Sequence, residues 1–177
     1  MLLRRGTLFF VLLMFSSFAF AANRKTKAVY CTQAANGTWS LQGFEPLINP
    51  KAGTVFAELS FAGPVVESVR LRRFHPDYEV VFEYKFDGAG RLTALLGSVE
   101  IWGQWLGEAN LYPAADGSVG SVNVTYYRAS TRHVISRPED AEEFTAELSS
   151  VPIYRTTESL PCGGSLHEAE KMNATQE

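Results

Sequence analysis

The stretch that decides the fold is YEVVFEYKFDGAGRLTALLGSVEI, residues 78–101. Apolar or aromatic residues stand at every second position from Val80 to Phe86, and most positions between them are charged. A period of two is that of a β-strand with one buried face. Asp87-Gly88-Ala89-Gly90 is a turn sequence, and the alternation resumes directly after it. The stretch therefore predicts an antiparallel hairpin of two strands, residues 78–86 and 91–101.

The same alternation recurs on both sides of this hairpin. Further strands are predicted at residues 54–61, 65–74, about 103–111 and 118–128, with turns at Gly63-Pro64, Pro76-Asp77 and Asp116-Gly117. Because short turns join successive strands, neighbours in sequence are expected to be neighbours in the sheet. We therefore predict a mainly β fold, an antiparallel β-meander of about seven to nine strands that is closed as a sandwich or an open barrel.

One amphipathic helix is predicted near the C-terminus, at residues 137–150. Ser136 is a candidate N-cap, Pro138 suits the first turn, and Glu139 follows the serine by three positions. Apolar residues then recur at helical spacing, namely Ala141, Phe144, Leu148 and Val151. This stripe would pack on the sheet. We interpret the acidic residues of the first turn as a solvated face near the positive end of the helix dipole, with a cation site as the alternative.

Residues 1–21 have the organisation of a secretory signal peptide. Two arginines precede a long apolar run, and Ala19-Phe20-Ala21 supplies the small-x-small cleavage pattern. We expect cleavage after Ala21 or Ala22, a flexible segment at residues 22–27, and a secreted or periplasmic protein with no lipid anchor and no later membrane span. An uncleaved anchor and a twin-arginine export signal are the alternatives.

The only two cysteines, Cys31 and Cys162, stand near the two ends of the predicted mature chain. Export brings them to an oxidising compartment, so we predict a disulfide between them, with buried free thiols or a redox dithiol as alternatives. In the chain-entropy model, closing so long a loop stabilises the fold by about 5 kcal/mol. The bridge would enclose a single β-rich domain, residues 28–162, followed by a disordered tail, residues 163–177.

The charge of the chain argues against nucleic acid as a partner. The 177 residues carry a formal net charge of −3. Since the predicted leader contains Arg4, Arg5 and no acidic residue, its removal lowers the net charge to about −5. A surface of this sign has no general attraction for a phosphate backbone.

No catalytic or metal-binding motif stands out in the sequence. It contains no Gly-x-Ser-x-Gly elbow and no C-x-x-C pair, and His75, His133 and His167 lack the spacing of metal ligands. We therefore predict no catalytic residues, no metal and no cofactor. The sequence favours a non-catalytic binding or envelope-associated module. The alternative is a small secreted hydrolase acting on extracellular glycan or peptide, because paired carboxylates come together only in the fold.

Two tryptophans are candidate ligand-binding residues. On a regular strand Trp102 and Trp105 would have opposite parity, so one would face solvent and suit stacking on a sugar ring. A bulge at Gly103 would instead bring both to one side. The simpler interpretation is that both are core residues, and the predicted partner is an unknown ligand or envelope component, with glycan as one class.

Three basic residues form a second candidate binding surface. Arg70 and Arg72 share one face of their predicted strand, opposite Val69 and Leu71. Together with His75 they could bind an anionic group such as a phosphate or a carboxylated sugar. The simpler interpretation is a solvated strand face that also discourages edge pairing.

Overall fold

The computed structural model describes residues 27–42, 51–101 and 103–162. The predicted signal peptide at residues 1–21, the predicted tail at residues 163–177 and Trp102 lie outside these residues. Those predictions are therefore not tested by the structure.

The described part of the chain contains nine strands, one α-helix and two short 3₁₀ turns. The strands are β1 (Lys27–Gln33), β2 (Trp39–Gln42), β3 (Val55–Ala62), β4 (Val65–Phe74), β5 (Tyr78–Phe86), β6 (Leu92–Ile101), β7 (Trp105–Pro113), β8 (Val119–Arg128) and β9 (Val134–Ile135). The helix α1 (Glu142–Ser150) follows a 3₁₀ turn at Glu139–Ala141, and the second turn is Thr157–Ser159. Among the described elements, no helix combines the length and apolarity that crossing a membrane requires.

The nine strands form one antiparallel sheet in the order β2-β1-β3-β4-β5-β6-β7-β8-β9. From β3 to β9 each strand pairs with the next in sequence, as the meander predicts, whereas β2 folds back to the outer side of β1. The predicted mainly antiparallel β fold with one helix near the C-terminus is confirmed. The sequence leaves a sandwich and an open barrel as alternatives for the arrangement of the strands. Among the described residues a single sheet carries every strand and is not closed, so no sandwich is present.

The core lies between one face of the sheet and α1. The predicted apolar stripe of the helix is buried in full, from Ala141 through Phe144 and Leu148 to Val151. On the same side of the sheet, side chains at alternate positions of the strands are fully buried, among them Leu59, Leu71, Val80, Phe82 and Tyr84. Burying each of these side chains stabilises the fold by about 1.5–3 kcal/mol, so the helix and sheet are held together mainly by apolar contact.

Two glycines inside strands let the helix lie close to the sheet. A Cβ added to Gly107 of β7 would stand 2.7 Å from Cε1 of Phe144, and one added to Gly97 of β6 would stand 2.6 Å from Cδ2 of Leu148. Ordinary contacts of a Cβ begin near 3.4 Å. A side chain at either position would force Phe144 or Leu148 to shift, so glycine permits the close approach of the helix and interrupts the apolar alternation of these strands.

The start of the helix differs from the prediction. The sequence predicts Ser136 as the N-cap, but α1 begins at Glu142 after a 3₁₀ turn, with Ala141 in the capping position. Neither Ala141 nor Pro138, which precedes the 3₁₀ turn, forms a side-chain cap hydrogen bond. Pro138 has an extended backbone before the 3₁₀ turn, and Ala141 is buried at the point where this turn passes into α1.

The predicted disulfide between Cys31 and Cys162 is confirmed. Cys31 is a fully buried residue of β1, and Cys162 follows the last 3₁₀ turn, 131 positions further along the chain. Between α1 and Cys162 the chain returns across the sheet, where the hydroxyl of Tyr84 donates a hydrogen bond to the carbonyl of Pro152 at 2.9 Å. Burial raises the pKa of Tyr84 far above its ordinary value, so this donor stays protonated. The bridge thus joins the returning segment to the first strand.

Asp87 orders the turn of the central hairpin. Its carboxylate accepts hydrogen bonds at 2.9 Å from the backbone N–H groups of Ala89 and Arg91 and from Nε of Arg91. These bonds, led by the one from the Arg91 backbone, hold the pKa of Asp87 below its usual 3.8. The ionised carboxylate is therefore the form that stabilises the turn.

Asp87→Asn is expected to lower the melting temperature at neutral pH. It should also make the melting temperature depend less on pH in the acidic range. Since folding lowers the pKa of Asp87, its contribution is present above the unfolded value and is lost as the pH falls through the folded value. The melting temperatures of wild type and variant should therefore differ at about pH 7 and converge as the pH falls below the lowered pKa of Asp87. Glu67→Gln, at an exposed carboxylate of β4, is the control. A difference that is the same at both pH values would contradict this role.

Candidate functional site

A cleft of about 670 Å³ opens between the start of α1 and one end of β5, β6 and β7. Because these strands are antiparallel, the first residue of β5, the last of β6 and the first of β7 meet at the same end of the sheet. The walls are aromatic and aliphatic, formed by Tyr78, Trp105, Val99, Ile101 and Phe144. Five carboxylates line the same space, those of Asp77, Glu139, Asp140, Glu142 and Glu143. We call this surface the acidic cleft.

Trp105 forms one wall of the acidic cleft with little of its ring exposed. The side chain is 4% exposed, and the edge of its ring contacts Tyr126 with centroids 5.6 Å apart. Its indole N–H donates a hydrogen bond to Oδ1 of Asp140 at 2.9 Å. Trp105 therefore anchors the core, as the simpler sequence interpretation has it, and also fixes a carboxylate at the mouth of the cleft.

Tyr78 forms the opposite wall and is positioned from two sides. Its hydroxyl donates a hydrogen bond to Oε2 of Glu143 at 2.9 Å, and its ring stacks on His75 with centroids 4.3 Å apart. Desolvation, reinforced by the bond to Glu143, raises the pKa of Tyr78 to about 12. The hydroxyl is consequently a neutral donor near neutral pH, and it leaves the charge of Glu143 uncompensated.

The five carboxylates of the acidic cleft form no ion pair with a basic residue of the described segments. Elsewhere carboxylates are paired with arginines, as Glu79 is with Arg72 and Glu147 with Arg73. Of the residues that the structure describes, no lysine, arginine or histidine lines the cleft. Within the described ranges, no group of three or more His, Cys, Asp or Glu residues is arranged to hold a metal ion. The negative charge of the cleft is therefore distributed over five carboxylates, and no basic residue of the described segments balances it.

His75 lies beside the acidic cleft without lining it. It belongs to the loop between β4 and β5, and its Nε2 is 3.5 Å from Oε1 of Glu147. The other oxygen of Glu147 accepts a hydrogen bond from Arg73 at 2.5 Å, so the carboxylate is shared between the two side chains. His75 therefore connects the loop to the helix, and through its stacking it supports Tyr78.

Arg70 and Arg72 lie on the face of the sheet that α1 does not cover. Nε and Nη2 of Arg72 donate to the carboxylate of Glu79 at 2.5 and 3.0 Å, and the guanidinium lies over Phe74, 4.9 Å from the ring centroid. Arg70 is exposed and stands in register between Glu58 of β3 and Glu83 of β5. Acidic neighbours surround both guanidinium groups, which disfavours an anionic ligand there.

The structure does not bring the sequence-predicted site residues together. Trp105 faces the helix, whereas Arg70 and Arg72 face the other way, and Trp102 lies outside the described residues. The segment around Gly103 is a turn and not part of a strand, since Ile101 pairs with Trp105 and Gly103 has a φ of 74°. β7 consequently begins two residues later than about residue 103, where the sequence placed it.

The chain matches no protein-family model, no curated protein and no solved structure.

Proposed function

We propose that this protein is an exported, non-catalytic binding module whose acidic cleft holds a positively charged ligand. One observation carries the proposal: five carboxylates without an ion pair among the described residues line a concave space with three aromatic side chains. Like charges held close together destabilise a fold unless they are solvated or meet a counter-charge. A bound cation would supply that counter-charge.

The chemistry of the cleft favours lysine or arginine side chains as the ligand. Ammonium and guanidinium groups form charge-assisted hydrogen bonds with carboxylates, and their alkyl stems pack on apolar walls such as Val99 and Ile101. A volume of about 670 Å³ falls within the range of small-ligand sites and has room for a few side chains. A basic segment of an extracytoplasmic peptide or protein is therefore the ligand we favour. A glycan is less well supported, because Trp105 exposes little ring for stacking.

A location outside the cytoplasm is part of the proposal. The sequence of residues 1–21 has the organisation of a signal peptide, and the chain carries a disulfide between Cys31 and Cys162. Disulfides persist mainly in oxidising compartments. Both observations support a secreted or periplasmic protein, where a basic envelope component would be accessible to the cleft.

A small hydrolase acting on extracellular glycan or peptide remains the alternative prediction. Such an enzyme needs two converging carboxylates or a histidine next to a carboxylate. In the described part of the chain, the histidine next to a carboxylate is His75 with Glu147, and Arg73 binds the same carboxylate outside the acidic cleft. Two converging carboxylates of a hydrolase would have to come from the acidic cleft itself. We favour the binding module because Asp140 and Glu143 of the cleft already accept hydrogen bonds from Trp105 and Tyr78.

The double variant Glu139→Gln/Glu142→Gln is expected to weaken binding of a trilysine peptide by about tenfold or more, since it removes two of the five charges. Both side chains are exposed, so the substitutions remove charge without opening the core. The measurement is isothermal titration calorimetry at low ionic strength, with a triglutamate peptide as the probe of opposite charge.

The matched control is Glu67→Gln/Glu100→Gln, which changes the net charge equally at two exposed positions of β4 and β6. This control should bind trilysine as wild type does, and triglutamate should not bind to any variant. Equal losses in both double variants would mean that only the overall charge of the protein matters. No binding of trilysine to wild type would reject the proposal.

A further inference from the structure

The outer edge of β8 is largely open. β8 pairs with β7 along its length, but on its other side β9 covers only Tyr126 and Tyr127. In the described part of the chain, residues 119–125 have no strand partner on that side. An open strand edge presents unpaired backbone donors and acceptors, which are a template for another strand.

The backbone groups that face this edge can be identified. The backbone N–H of Arg128 donates a hydrogen bond to the carbonyl of His133 at 2.9 Å. The backbone N–H and C=O of Arg128 therefore point toward the β9 side of β8. Successive residues of a strand alternate in direction, so Val124 and Val122 also direct their N–H and C=O groups outward. The alternation is uninterrupted between these residues, because the β-bulge lies further along, opposite Tyr112 and Pro113.

The open edge has none of the side chains that usually protect one. Residues 119–125 read VGSVNVT, with no charged residue and no proline. Natural edge strands are commonly guarded by lysine, proline or an inward-pointing charge. The absence of charge also matters for the choice of partner, since an acidic chain would otherwise repel a second copy of itself.

Exposed apolar side chains are concentrated at the same edge. In the described segments, the large exposed hydrophobic residues are Tyr112 at 56%, Val122 at 37% and Val134 at 68%. They belong to β7, β8 and β9, the last three strands of the sheet. Val122 adds exposed apolar surface to the unguarded edge of β8 itself, whereas Tyr112 and Val134 lie on the opposite face of the sheet, since they pair with Ser121 and Tyr127.

We propose that β8 pairs antiparallel with β8 of a second copy of this chain, about a two-fold axis at Asn123. In this register Val122 lies opposite Val124 of the second copy, and each such pair exchanges two backbone hydrogen bonds. Asn123 faces its own counterpart at a non-hydrogen-bonded position, where the Cα atoms are about 4.5 Å apart. The contact is isologous, so it closes as a dimer and does not propagate.

The neighbouring elements limit the paired segment. β9 occupies the edge from Tyr126 onward, and the β-bulge opposite Tyr112 and Pro113 bends β8 at its other end. Residues 121–125 of each copy remain for pairing. This surface is separate from the acidic cleft, because none of these residues lines it.

Sedimentation equilibrium of the full chain, expressed with its own leader, tests the proposal. Wild type is expected to show a concentration-dependent monomer and dimer equilibrium. Asn123→Lys should raise the dissociation constant of the dimer by about tenfold or more, because the lysines of the two copies would face each other across the two-fold axis. Asn110→Lys is the matched control, since Asn110 is the exposed partner of Asn123 one strand further in. A monomeric wild type, or equal effects of the two substitutions, would overturn the proposal.

Crosslinking tests the register and does not depend on a destabilising charge. Asn123→Cys should form an intermolecular disulfide under mild oxidation, because the two-fold axis brings both thiols together. Asn110→Cys introduces a thiol on β7, one strand away from the two-fold axis, and this variant should remain uncrosslinked. On a non-reducing gel, a dimer band of equal strength for both variants, or for neither, would exclude the proposed register.

Discussion

Phe144→Ala is expected to lower the free energy of unfolding by about 3–5 kcal/mol, the usual cost of removing a large aromatic side chain from a core. Phe144 is 2% exposed and packs over Gly107, where the sheet has no side chain of its own. The vacated space would be bounded by a rigid sheet and could not collapse well. Urea unfolding measures the change. Ser149→Ala, at an exposed position of the same helix, should alter the free energy by less than about 0.5 kcal/mol.

A double-mutant cycle with Gly107→Val separates packing from general damage to the helix. Alone, this substitution should cost about 1–3 kcal/mol, because its Cβ would collide with the ring of Phe144. In the Phe144→Ala background the valine can occupy the vacated space, so its additional cost should fall. Strictly additive losses would show that the two residues do not share a contact.

The second large effect is expected from the disulfide. Cys31→Ser/Cys162→Ser should lower the free energy of unfolding by about 2–5 kcal/mol, since the loop that the bridge closes spans nearly the whole described chain. The double substitution avoids leaving a free thiol. Reduction of wild type should produce a loss of the same size, and reduction of the variant should produce none.

The serine variant also tests which part of the molecule the bridge holds. Cys162 ends the segment that returns across the sheet after α1, and Leu160 is buried nearby. Hydrogen exchange should therefore accelerate first in this segment and in β1. If the double variant retained wild-type stability, the bridge would be an incidental connection between ends that packing already holds.

Most of the sheet could be predicted from local patterns. Alternation and turn residues located β4 and β5 at the bounds the structure gives, and the apolar spacing of α1 identified its buried face. These features depend on neighbours in sequence. The position of β2 outside β1 could not be predicted, since it depends on which side of β1 is taken by β3. Likewise, Gly97 and Gly107 gain their meaning only from the helix above them.

The acidic cleft could not be predicted from the sequence, because the residues that form it are far apart in the chain. Tyr78 and Glu143, which share a hydrogen bond, are separated by 65 positions. Trp105 was identified as a candidate, but its contact with Asp140 depends on where the helix begins. The acidic residues of the first helical turn were the available signal. In the sequence alone they indicate a solvated face, because a helix dipole explains such residues without a ligand.

For Arg70 and Arg72 the sequence indicates a binding site that the structure disfavours. Their density on one strand suggested an anion site, yet strand register decides what lies beside them. Glu58, Glu79 and Glu83 lie on the adjacent strands, and none of these neighbours could be assigned before the pairing was known.

The indole N–H resonance of Trp105 offers the most direct test of the proposed ligand site. This proton is donated to Asp140 at the mouth of the acidic cleft, and the chain has only three tryptophans, so its signal can be assigned by substitution. On titration with trilysine, we expect the Trp105 signal to shift with the same midpoint that calorimetry gives. Triglutamate should leave it unchanged. If trilysine bound while the Trp105 signal stayed in place, the ligand would lie elsewhere and the acidic cleft would not be the binding site.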